Sequence, residues 1–218
     1  MRHRSAFILS VVSTLVFTAA MAMADGPVFE DYFVHEMRNW DAHTCCWTVI
    51  GYANGKLLRQ KSSDPKLINT RVLIADRSFE NSTIETKVRF GAYPSLSESK
   101  DTTVRLGAGM VFGFQDESNY YLYRLAGDDT VVLGKVVDGE WEELASKAAR
   151  KPSDPRVDGL EDAPWYTLKV VVENGNDITC YLDGSPVFSA DGNEDWTTGR
   201  VGFTTWNALA DFDYIKIW

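Results

Sequence analysis

A two-residue alternation of apolar and charged side chains is the feature that most restricts how this chain can fold. It is clearest at residues 82–90, where apolar or threonine side chains alternate with Glu, Lys and Arg. Side chains two residues apart lie on the same face of a β-strand, so the pattern predicts a strand with one buried and one solvent-facing side. The same alternation returns at 109–115 and 120–125, which indicates that the chain is built mainly of half-buried strands.

Turn dipeptides separate these runs. Asp138-Gly139, Asn174-Gly175 and Asp183-Gly184 each lie between two apolar runs, and such pairs accept the positive φ of tight hairpins at little cost. The only window that could form a short helix is 142–151, which Pro152 would end. About a dozen short strands in roughly 190 residues predict an all-β fold, an antiparallel two-sheet β-sandwich formed by a single domain at 25–218.

The first 24 residues have the features of a cleaved secretory signal. Arg2 and Arg4 precede an apolar run at 6–22, and Ala22-Met23-Ala24 supplies the small residues that are typical of a cleavage site. A membrane anchor is the alternative, but the run is shorter than the roughly 20 apolar residues that a spanning helix needs. We therefore expect a secreted or periplasmic domain whose mature chain does not insert into a membrane.

The charge of the chain restricts its partners. The formal net charge is −9, and removal of Arg2 and Arg4 leaves 20 basic against 31 acidic residues, a net charge of −11. Because no basic block stands out, nucleic acid and anionic membrane surfaces are poor partners. The same charge favours neutral or basic glycans over polyanionic ones, unless Arg89 and Arg124 form a local positive strip.

Seven tryptophans in one small domain indicate either a heavily aromatic core or a surface on which a flat ligand stacks. Trp47, Trp141 and Trp165 lie at the starts of predicted strands, and we assign them to the core. Trp206 is the first candidate for a stacking surface, and Trp196, on a predicted loop, is the second.

Three cysteines, Cys45, Cys46 and Cys180, allow at most one disulfide in an exported protein. Adjacent cysteines would close a strained ring, so we expect Cys45 or Cys46 to pair with Cys180, with a fully reduced set as the alternative. Without a Cys-x-x-Cys spacing, a cysteine metal site is not expected.

The order of motifs along the chain carries a family resemblance. The motifs are Phe29-Glu30-Asp31-Tyr32-Phe33, Trp47-Thr48-Val49, Asn54-Gly55-Lys56-Leu57, Gly109-Met110-Val111-Phe112, residues 116–121, Trp165-Tyr166-Thr167-Leu168, Tyr181-Leu182-Asp183-Gly184, Gly199-Arg200-Val201-Gly202-Phe203 and Phe212-Asp213-Tyr214-Ile215. This series resembles the concanavalin A-like lectin/glucanase jelly rolls, and among them the laminin-G-like members. The resemblance implies a jelly-roll sandwich, a fold shared by lectins, glucanases, polysaccharide lyases and adhesion modules.

The motifs of the enzymatic members are not matched. Retaining glucanases of this superfamily carry Glu-x-Asp-x-x-Glu or Glu-x-Asp-x-Glu, which sets two carboxylates roughly 5 Å apart. Here Glu142-Glu143 and Glu161-Asp162 are adjacent and point to opposite faces or lie in loops. The chain also resembles the 3-keto-disaccharide hydrolases in outline, but Gly107-Ala108-Gly109 replaces their Asn-Ser-Gly, and Gly113 or Phe114 stands where they carry Arg.

A sugar-binding face is the remaining prediction. Arg is almost never fully buried without a partner, so Arg124 marks the non-core face of its strand, which Tyr120 shares. We expect Gln115 and Trp206 on neighbouring strands of that face, with Arg89 further along and glycines leaving room for a sugar ring that the aromatic side chains stack against. The alternatives are that Tyr120 and Trp206 merely cap the sheet, or that Tyr120 acts as the base of a lyase beside Arg124.

A structural calcium ion is implied by the resemblance. Glucanases of the superfamily hold Ca²⁺ with a C-terminal Asp and with backbone oxygens of the N-terminal segment and of a turn glycine, and the matching positions here are Asp213, Asp31 and Gly55. Strand parity predicts that Asp213 shares a face with Ile215 and Ile217, and its alternative partners are backbone amides.

The sequence therefore predicts an exported jelly-roll domain that binds an oligo- or polysaccharide. A glycoside-active enzyme with a non-standard site is the first alternative, and a protein-binding adhesion or accessory domain is the second.

Overall fold

The structure is a computed structural model that describes residues 26–53, 55–61, 69–92, 106–127, 130–149, 160–174, 177–192, 196 and 198–218. The predicted signal segment, residues 1–24, lies outside the described residues. The described part of the chain consists of β-strands and their connections, without a helix. No helix that is long and apolar enough to cross a membrane occurs in these ranges.

In the described ranges sixteen strands form two antiparallel sheets of eight, which confirms the predicted two-sheet sandwich. The strands are β1 (Phe29–Asp31), β2 (Trp40–Ala42), β3 (Trp47–Tyr52), β4 (Gly55–Gln60), β5 (Asn69–Ile74), β6 (Phe79–Glu80), β7 (Thr83–Ala92), β8 (Gly107–Asp116), β9 (Asn119–Ala126), β10 (Thr130–Val137), β11 (Glu140–Ala148), β12 (Tyr166–Glu173), β13 (Asp177–Leu182), β14 (Ser185–Asp191), β15 (Thr198–Trp206) and β16 (Ala208–Ile217). The first sheet has the order β14-β13-β12-β7-β16-β4-β3, with β1 on β16. The second has the order β11-β10-β9-β8-β15-β5-β2, with β6 on β15.

The main core lies between the sheets and is built from alternate residues of their strands. On β7, Ile84, Val88 and Phe90 face the core, as the sequence alternation predicts. The aromatic rings of Phe203 and Phe212 bridge the two sheets, with ring centroids 4.1 Å apart. Truncation of a buried Phe to Ala costs about 3–5 kcal/mol, so this contact anchors one sheet on the other.

The predicted hairpin turns at Asp138-Gly139 and Asp183-Gly184 form, and Gly175 of the third dipeptide lies outside the described residues. Asp138 and Gly139 both have positive φ, as do Asp183 and Gly184, which is the backbone geometry of the two-residue turns that suit the twist of antiparallel strands. Asn174 also has positive φ. The turn residues therefore fix the order in which the strands pair.

The window 142–151 does not form the short helix that its sequence allows. Residues 142–148 belong to β11, which pairs with β10 from end to end with one register shift. Lys135 of β10 and Glu142 of β11 lie opposite each other with an Nζ to Oε2 distance of 3.3 Å. Cross-strand pairing thus overrides the local helical preference of this charged segment.

The disulfide joins the adjacent cysteines, Cys45 and Cys46. Cys180 is a free, buried thiol on β13, where it faces the core opposite Phe188 of β14. Burial in this apolar environment raises the pKa of the Cys180 thiol. The expectation that Cys180 pairs with Cys45 or Cys46 is wrong, because its side chain is enclosed between the sheets.

Candidate functional site

The outer face of the second sheet, the side away from the core, collects three of the five residues predicted to bind a sugar. Arg124 of β9 lies opposite Gly109 of β8, and Gly109 lies opposite Thr204 of β15. Tyr120 is four residues before Arg124 on the same strand, and Trp206 is two residues after Thr204. Tyr120 and Trp206 therefore point to the same face of the sheet as Arg124 and Thr204. The structure therefore brings Tyr120, Arg124 and Trp206 to one face, as the sequence predicts.

Gln115 does not face this surface. The register of β8 shifts before Asp116, and Gly113 has a positive φ of 55°, so Phe114 takes the outward position. The Gln115 side chain instead donates hydrogen bonds to the backbone oxygens of Gly113 and Thr198. A β-bulge thus breaks the simple parity from which the position of Gln115 was predicted.

Arg89 lies in the other sheet. It is on β7, a central strand of the first sheet, whereas Arg124 is on β9 of the second. The expectation that Arg89 lies further along the face of Arg124 is wrong, and the two arginines do not form a local positive strip, because alternation along a strand does not reveal which sheet the strand joins. The contacts of Arg89 form a separate group of charges on the outer face of the first sheet.

A second apolar cluster covers the outer face of the second sheet. Its buried side chains are Leu73, Val111, Phe114, Tyr120, Leu122 and Val136. Arg71 of β5 lies over it, with its guanidinium carbon 4.2 Å from the ring centroid of Tyr120 and 5.3 Å from that of Phe114. Tyr120 is therefore part of the floor of this face. Arg71 was not predicted from the sequence, because β5 lies three strands away from the β9 strand of Tyr120 in the sheet.

Trp141 is the exposed aromatic side chain of this face. It lies opposite Val136, and its ring fills the space that a Cβ on Gly134 would take. The guanidinium carbon of Arg124 lies 5.9 Å from the Trp141 ring centroid, and the end of the Arg124 side chain fills the space above Gly107. Trp141 is 37% exposed, so its assignment to the core is wrong. The single glycine of β10 was the sequence signal that a bulky side chain crosses that strand.

The glycines of β8 and β15 allow neighbouring strands to approach. A Cβ on Gly109 would lie 2.2 Å from the backbone oxygen of Tyr123, and one on Gly202 would lie 2.0 Å from that of Val72. These positions exclude any side chain. The prediction that the glycines leave room for a ligand is therefore wrong at Gly109 and Gly202.

A group of charged side chains borders one end of this face. His43 Nδ1 lies 3.0 Å from Glu117 Oε1, and Arg71 forms an ion pair with the other oxygen of that carboxylate. Arg200 Nη2 donates to Asp41 Oδ2 at 3.0 Å, and its Nη1 lies 3.4 Å from His43 Nε2. Glu117 and Asp41 are each bound by an arginine, an arrangement unlike the apposed acid and nucleophile of a retaining glycosidase.

The other candidate tryptophans have structural surroundings. Trp47 packs against Phe212 at a centroid distance of 6.0 Å, as expected of a core residue. Trp196 packs edge-on against Tyr121 at 5.2 Å, at the edge of the sandwich. Trp165 was also assigned to the core, but it lies beside Arg89, with the guanidinium carbon 4.8 Å from its ring centroid.

The residues predicted to hold calcium have other partners. Asp31 is buried and accepts hydrogen bonds from the backbone N–H of Phe33 at 2.6 Å and from Trp40 Nε1 at 2.9 Å, one on each carboxylate oxygen. A register shift of β16 turns Asp213 outward, where its carboxylate lies 3.8 Å from Lys87 Nζ. The predicted placement of Asp213 on the core face is therefore wrong.

These surroundings do not fit a calcium ion held by Asp31, Gly55 and Asp213. Both oxygens of Asp31 are engaged, the Asp213 carboxylate faces a cation, and Gly55 is the exposed first residue of β4. Among the residues that the structure describes, no group of three His, Cys, Asp or Glu side chains could hold a metal. The calcium ion stays a prediction.

Comparison with known proteins identifies the fold. The sequence matches no protein-family model and no curated protein. A carbohydrate-binding module, CBM66 from Bacillus subtilis, superposes with a TM-score of 0.60 at 20% identity, covering 82% of this chain and 94% of the module. A glycoside hydrolase family 16 endo-glucanase from Bacteroides ovatus gives 0.58 at 12% identity over 87% of this chain and 99% of its own. The β-glucanase of Bacillus licheniformis gives 0.56 at 11% identity over 88% and 98%.

At these identities the likeness concerns the fold. The neighbours share the two-sheet sandwich over most of both chains, in agreement with the order of motifs in the sequence. The chain has the concanavalin A-like jelly-roll fold.

Proposed function

We propose that this chain is an exported carbohydrate-binding domain of laminin-G-like type, which holds an oligo- or polysaccharide on the outer face of its second sheet. The observation that carries the proposal is the exposed ring of Trp141 beside the guanidinium of Arg124, on the face that also bears Trp206. The similarity of the fold to a carbohydrate-binding module and to glucanases supports the same ligand class.

The chemistry of this face suits a sugar ring. A pyranose has an apolar side that packs against an indole ring, and hydroxyl groups at its edge that exchange hydrogen bonds with polar side chains. Trp141 offers the indole ring, while Asn69, a half-buried side chain opposite Trp206 whose Oδ1 accepts from Thr204 at 3.0 Å, offers its amide group. From β11 to β15 the sheet spans four strand spacings, about 19 Å, so the face suits a chain of several sugars.

Binding is favoured over catalysis by the state of the nearby acid and base groups. Tyr120 and Arg124 are both buried, with Tyr120 under Arg71, so a lyase base at Tyr120 would not reach its substrate. The carboxylates of Glu117 and Asp41 are bound by arginines. A glucanase-like or 3-keto-disaccharide hydrolase-like enzyme with a non-standard site would be revealed by cleavage of a bound glycan during incubation.

A glycan array followed by calorimetric titration tests the proposal. We expect a neutral oligosaccharide to bind, and Trp141→Ala to weaken it about tenfold, since 1.4 kcal/mol corresponds to a factor of ten and an aromatic contact contributes up to about that much. Trp206→Ala should weaken binding in the same direction. Tyr52→Ala, which removes an exposed ring from the first sheet, is the matched control. An array without any bound glycan, or one on which a protein ligand alone binds, would contradict the proposal.

Export and calcium have separate tests. If the first 24 residues are a cleaved signal, protein recovered from the periplasm or medium should begin at Asp25. An intact N-terminus would contradict cleavage, and protein that stays in the cytoplasm would contradict export. If calcium is structural, it should raise the melting temperature of chelator-treated protein, and an unchanged temperature would count against the ion.

A further inference from the structure

Three charged side chains form a buried group on the outer face of the first sheet, here called the Asp211 cluster: Arg59, Arg89 and Asp211. Arg59 donates from Nε to Asp211 Oδ1 at 2.6 Å and from Nη2 to Oδ2 at 2.8 Å. Arg89 Nε donates to Asp211 Oδ2 at 2.9 Å, and its Nη2 lies 2.8 Å from the same oxygen. The register β4-β16-β7 aligns the three residues in one row.

The cluster has one positive charge more than it has negative charges. Two guanidinium groups share the single carboxylate of Asp211, which is 0% exposed. The Asp211 carboxylate, more than any other group, raises the pKa of Arg59, and the exposed Glu161 carboxylate adds the last contribution. Glu161 contacts the cluster through its backbone oxygen, which accepts from Arg89 Nη1 at 3.2 Å. Only one carboxylate bonds the two guanidinium groups directly, and Glu161, the second carboxylate that acts on Arg59, is exposed, so this partly buried site favours an anionic ligand.

Arg59 has the accessible donor edge. Arg89 uses all three of its nitrogen positions on Asp211 and on the Glu161 backbone. Arg59 uses Nε and Nη2, its Nη1 has no hydrogen bond to a described residue, and its side chain is 23% exposed. A carboxylate that approaches from solvent would therefore meet Arg59.

Two aromatic rings lie beside the cluster. The guanidinium carbon of Arg89 is 4.9 Å from the Tyr52 ring centroid and 4.8 Å from that of Trp165. The two rings are 6.0 Å apart with a 56° angle between their planes, and Tyr52 is 41% exposed. An exposed ring next to a charged donor edge suits a ligand that joins a carboxylate to a ring with an apolar side.

We propose that the Asp211 cluster, with Tyr52 and Trp165, is a second binding site that takes a carboxylate-bearing sugar of the uronic acid class. The carboxylate binds Arg59 and the pyranose ring packs on Tyr52. The site lies on the face of the sandwich opposite Trp141, so it is independent of the proposed neutral-glycan face. It also provides the local positive charge that an acidic chain needs in order to bind an acidic sugar.

Titration of the folded protein with glucuronate, glucose and acetate, followed by two-dimensional NMR, tests the site. We expect glucuronate to shift the Arg59 and Tyr52 resonances and to bind about tenfold more tightly than glucose or acetate. Glucose lacks the charge-assisted hydrogen bond to Arg59, and acetate lacks the ring that packs on Tyr52, and each contact contributes up to about a factor of ten. The affinity should fall as salt rises. Absence of glucuronate binding would overturn the proposal. Equal binding of acetate and glucuronate would show a site for simple carboxylates and overturn the sugar class.

Matched variants separate this site from the other face. Arg59→Gln should lose about tenfold in glucuronate affinity, and Arg59→Lys should lose less, because it keeps the charge without the planar fork. Arg77→Gln, a change at an arginine that contacts the Val28 backbone instead, should have no effect, and neither should Trp141→Ala. If Arg59→Gln does not fold, Tyr52→Ala serves in its place, and unchanged glucuronate binding by that variant would overturn the proposal. Failure of neutral glycans to bind would leave these outcomes unaffected.

Discussion

The outer faces of the two sheets both bury arginine, but they compensate its charge differently. On the first sheet, Arg89 is buried against the carboxylate of Asp211. On the second sheet, Arg71 lies on the rings of Tyr120 and Phe114 over an apolar cluster, with an ion pair to Glu117 at its end. Alternation in the sequence therefore shows which side chains point away from the main core, but not whether water reaches them.

The largest loss of stability is expected when the shared carboxylate of the first sheet is removed. Asp211→Ala would leave two guanidinium groups without their shared carboxylate, and removal of one partner of a buried ion pair costs about 3–5 kcal/mol. Chemical denaturation of the variant measures this loss in the free energy of unfolding.

The matched control is Asp213→Ala, two residues along the same strand. Asp213 is 37% exposed and its carboxylate lies 3.8 Å from Lys87 Nζ, so the change should stay within about 0.5 kcal/mol. Equal losses for Asp211→Ala and Asp213→Ala would show that the Asp211 cluster is not a buried ionic group.

A somewhat smaller loss of stability is expected when a side chain of the outer apolar cluster on the second sheet is truncated. Leu122→Ala, on the outer face of the second sheet, should destabilise the protein by about 2–4 kcal/mol, because Leu122 is buried in the outer cluster. Lys87→Ala, at an outward position of the first sheet, should cost little. If Leu122→Ala were as mild as Lys87→Ala, the outer cluster would be a solvated surface and not a second core.

The smallest effect concerns the charges that border the second sheet. Glu117 is 63% exposed, although it contacts both Arg71 and His43. Exposed pairs contribute about 0–1 kcal/mol, so Glu117→Gln should change the thermal midpoint only slightly. A loss as large as that of Asp211→Ala would show that Arg71 depends on its carboxylate rather than on the aromatic rings beneath it.

Most of the strands and turns could be predicted from the sequence because their causes are local. The alternation in β7 and the Asp-Gly turns act within a few residues, and the structure confirms both. The resemblance carried by the motif order also gave the correct fold.

The errors arise where distant parts of the chain meet. Arg89 and Arg124 have the same local pattern, and only the pairing of their strands separates them into two sheets. The bulges at Gly113 and before Ile215 change which face the following residues point to, and the sequence alternation does not show them. For this reason the side chains of Gln115 and Asp213 point to faces other than the predicted ones. Of the predicted site residues, the structure brings Tyr120, Arg124 and Trp206 to one face, and their role in binding stays a prediction.

The sequence contained one unused indication of the site. Gly134 interrupts the β-branched strand β10, and the structure shows the Trp141 ring lying over it. A glycine in the middle of a strand marks a place where something bulky approaches, so Trp141 could have been assigned to the outer face.

Glycan binding by the second sheet is tested most directly by calorimetric titration of a neutral oligosaccharide, chosen by glycan array, into the unsubstituted protein, Trp141→Ala and Tyr52→Ala. Both changes remove an exposed aromatic ring, one from each outer face. If the second sheet binds the glycan, Trp141→Ala should weaken binding about tenfold and Tyr52→Ala should leave it unchanged. If Tyr52→Ala lost binding and Trp141→Ala kept full affinity, the glycan would lie on the first sheet. That result would contradict glycan binding by the second sheet.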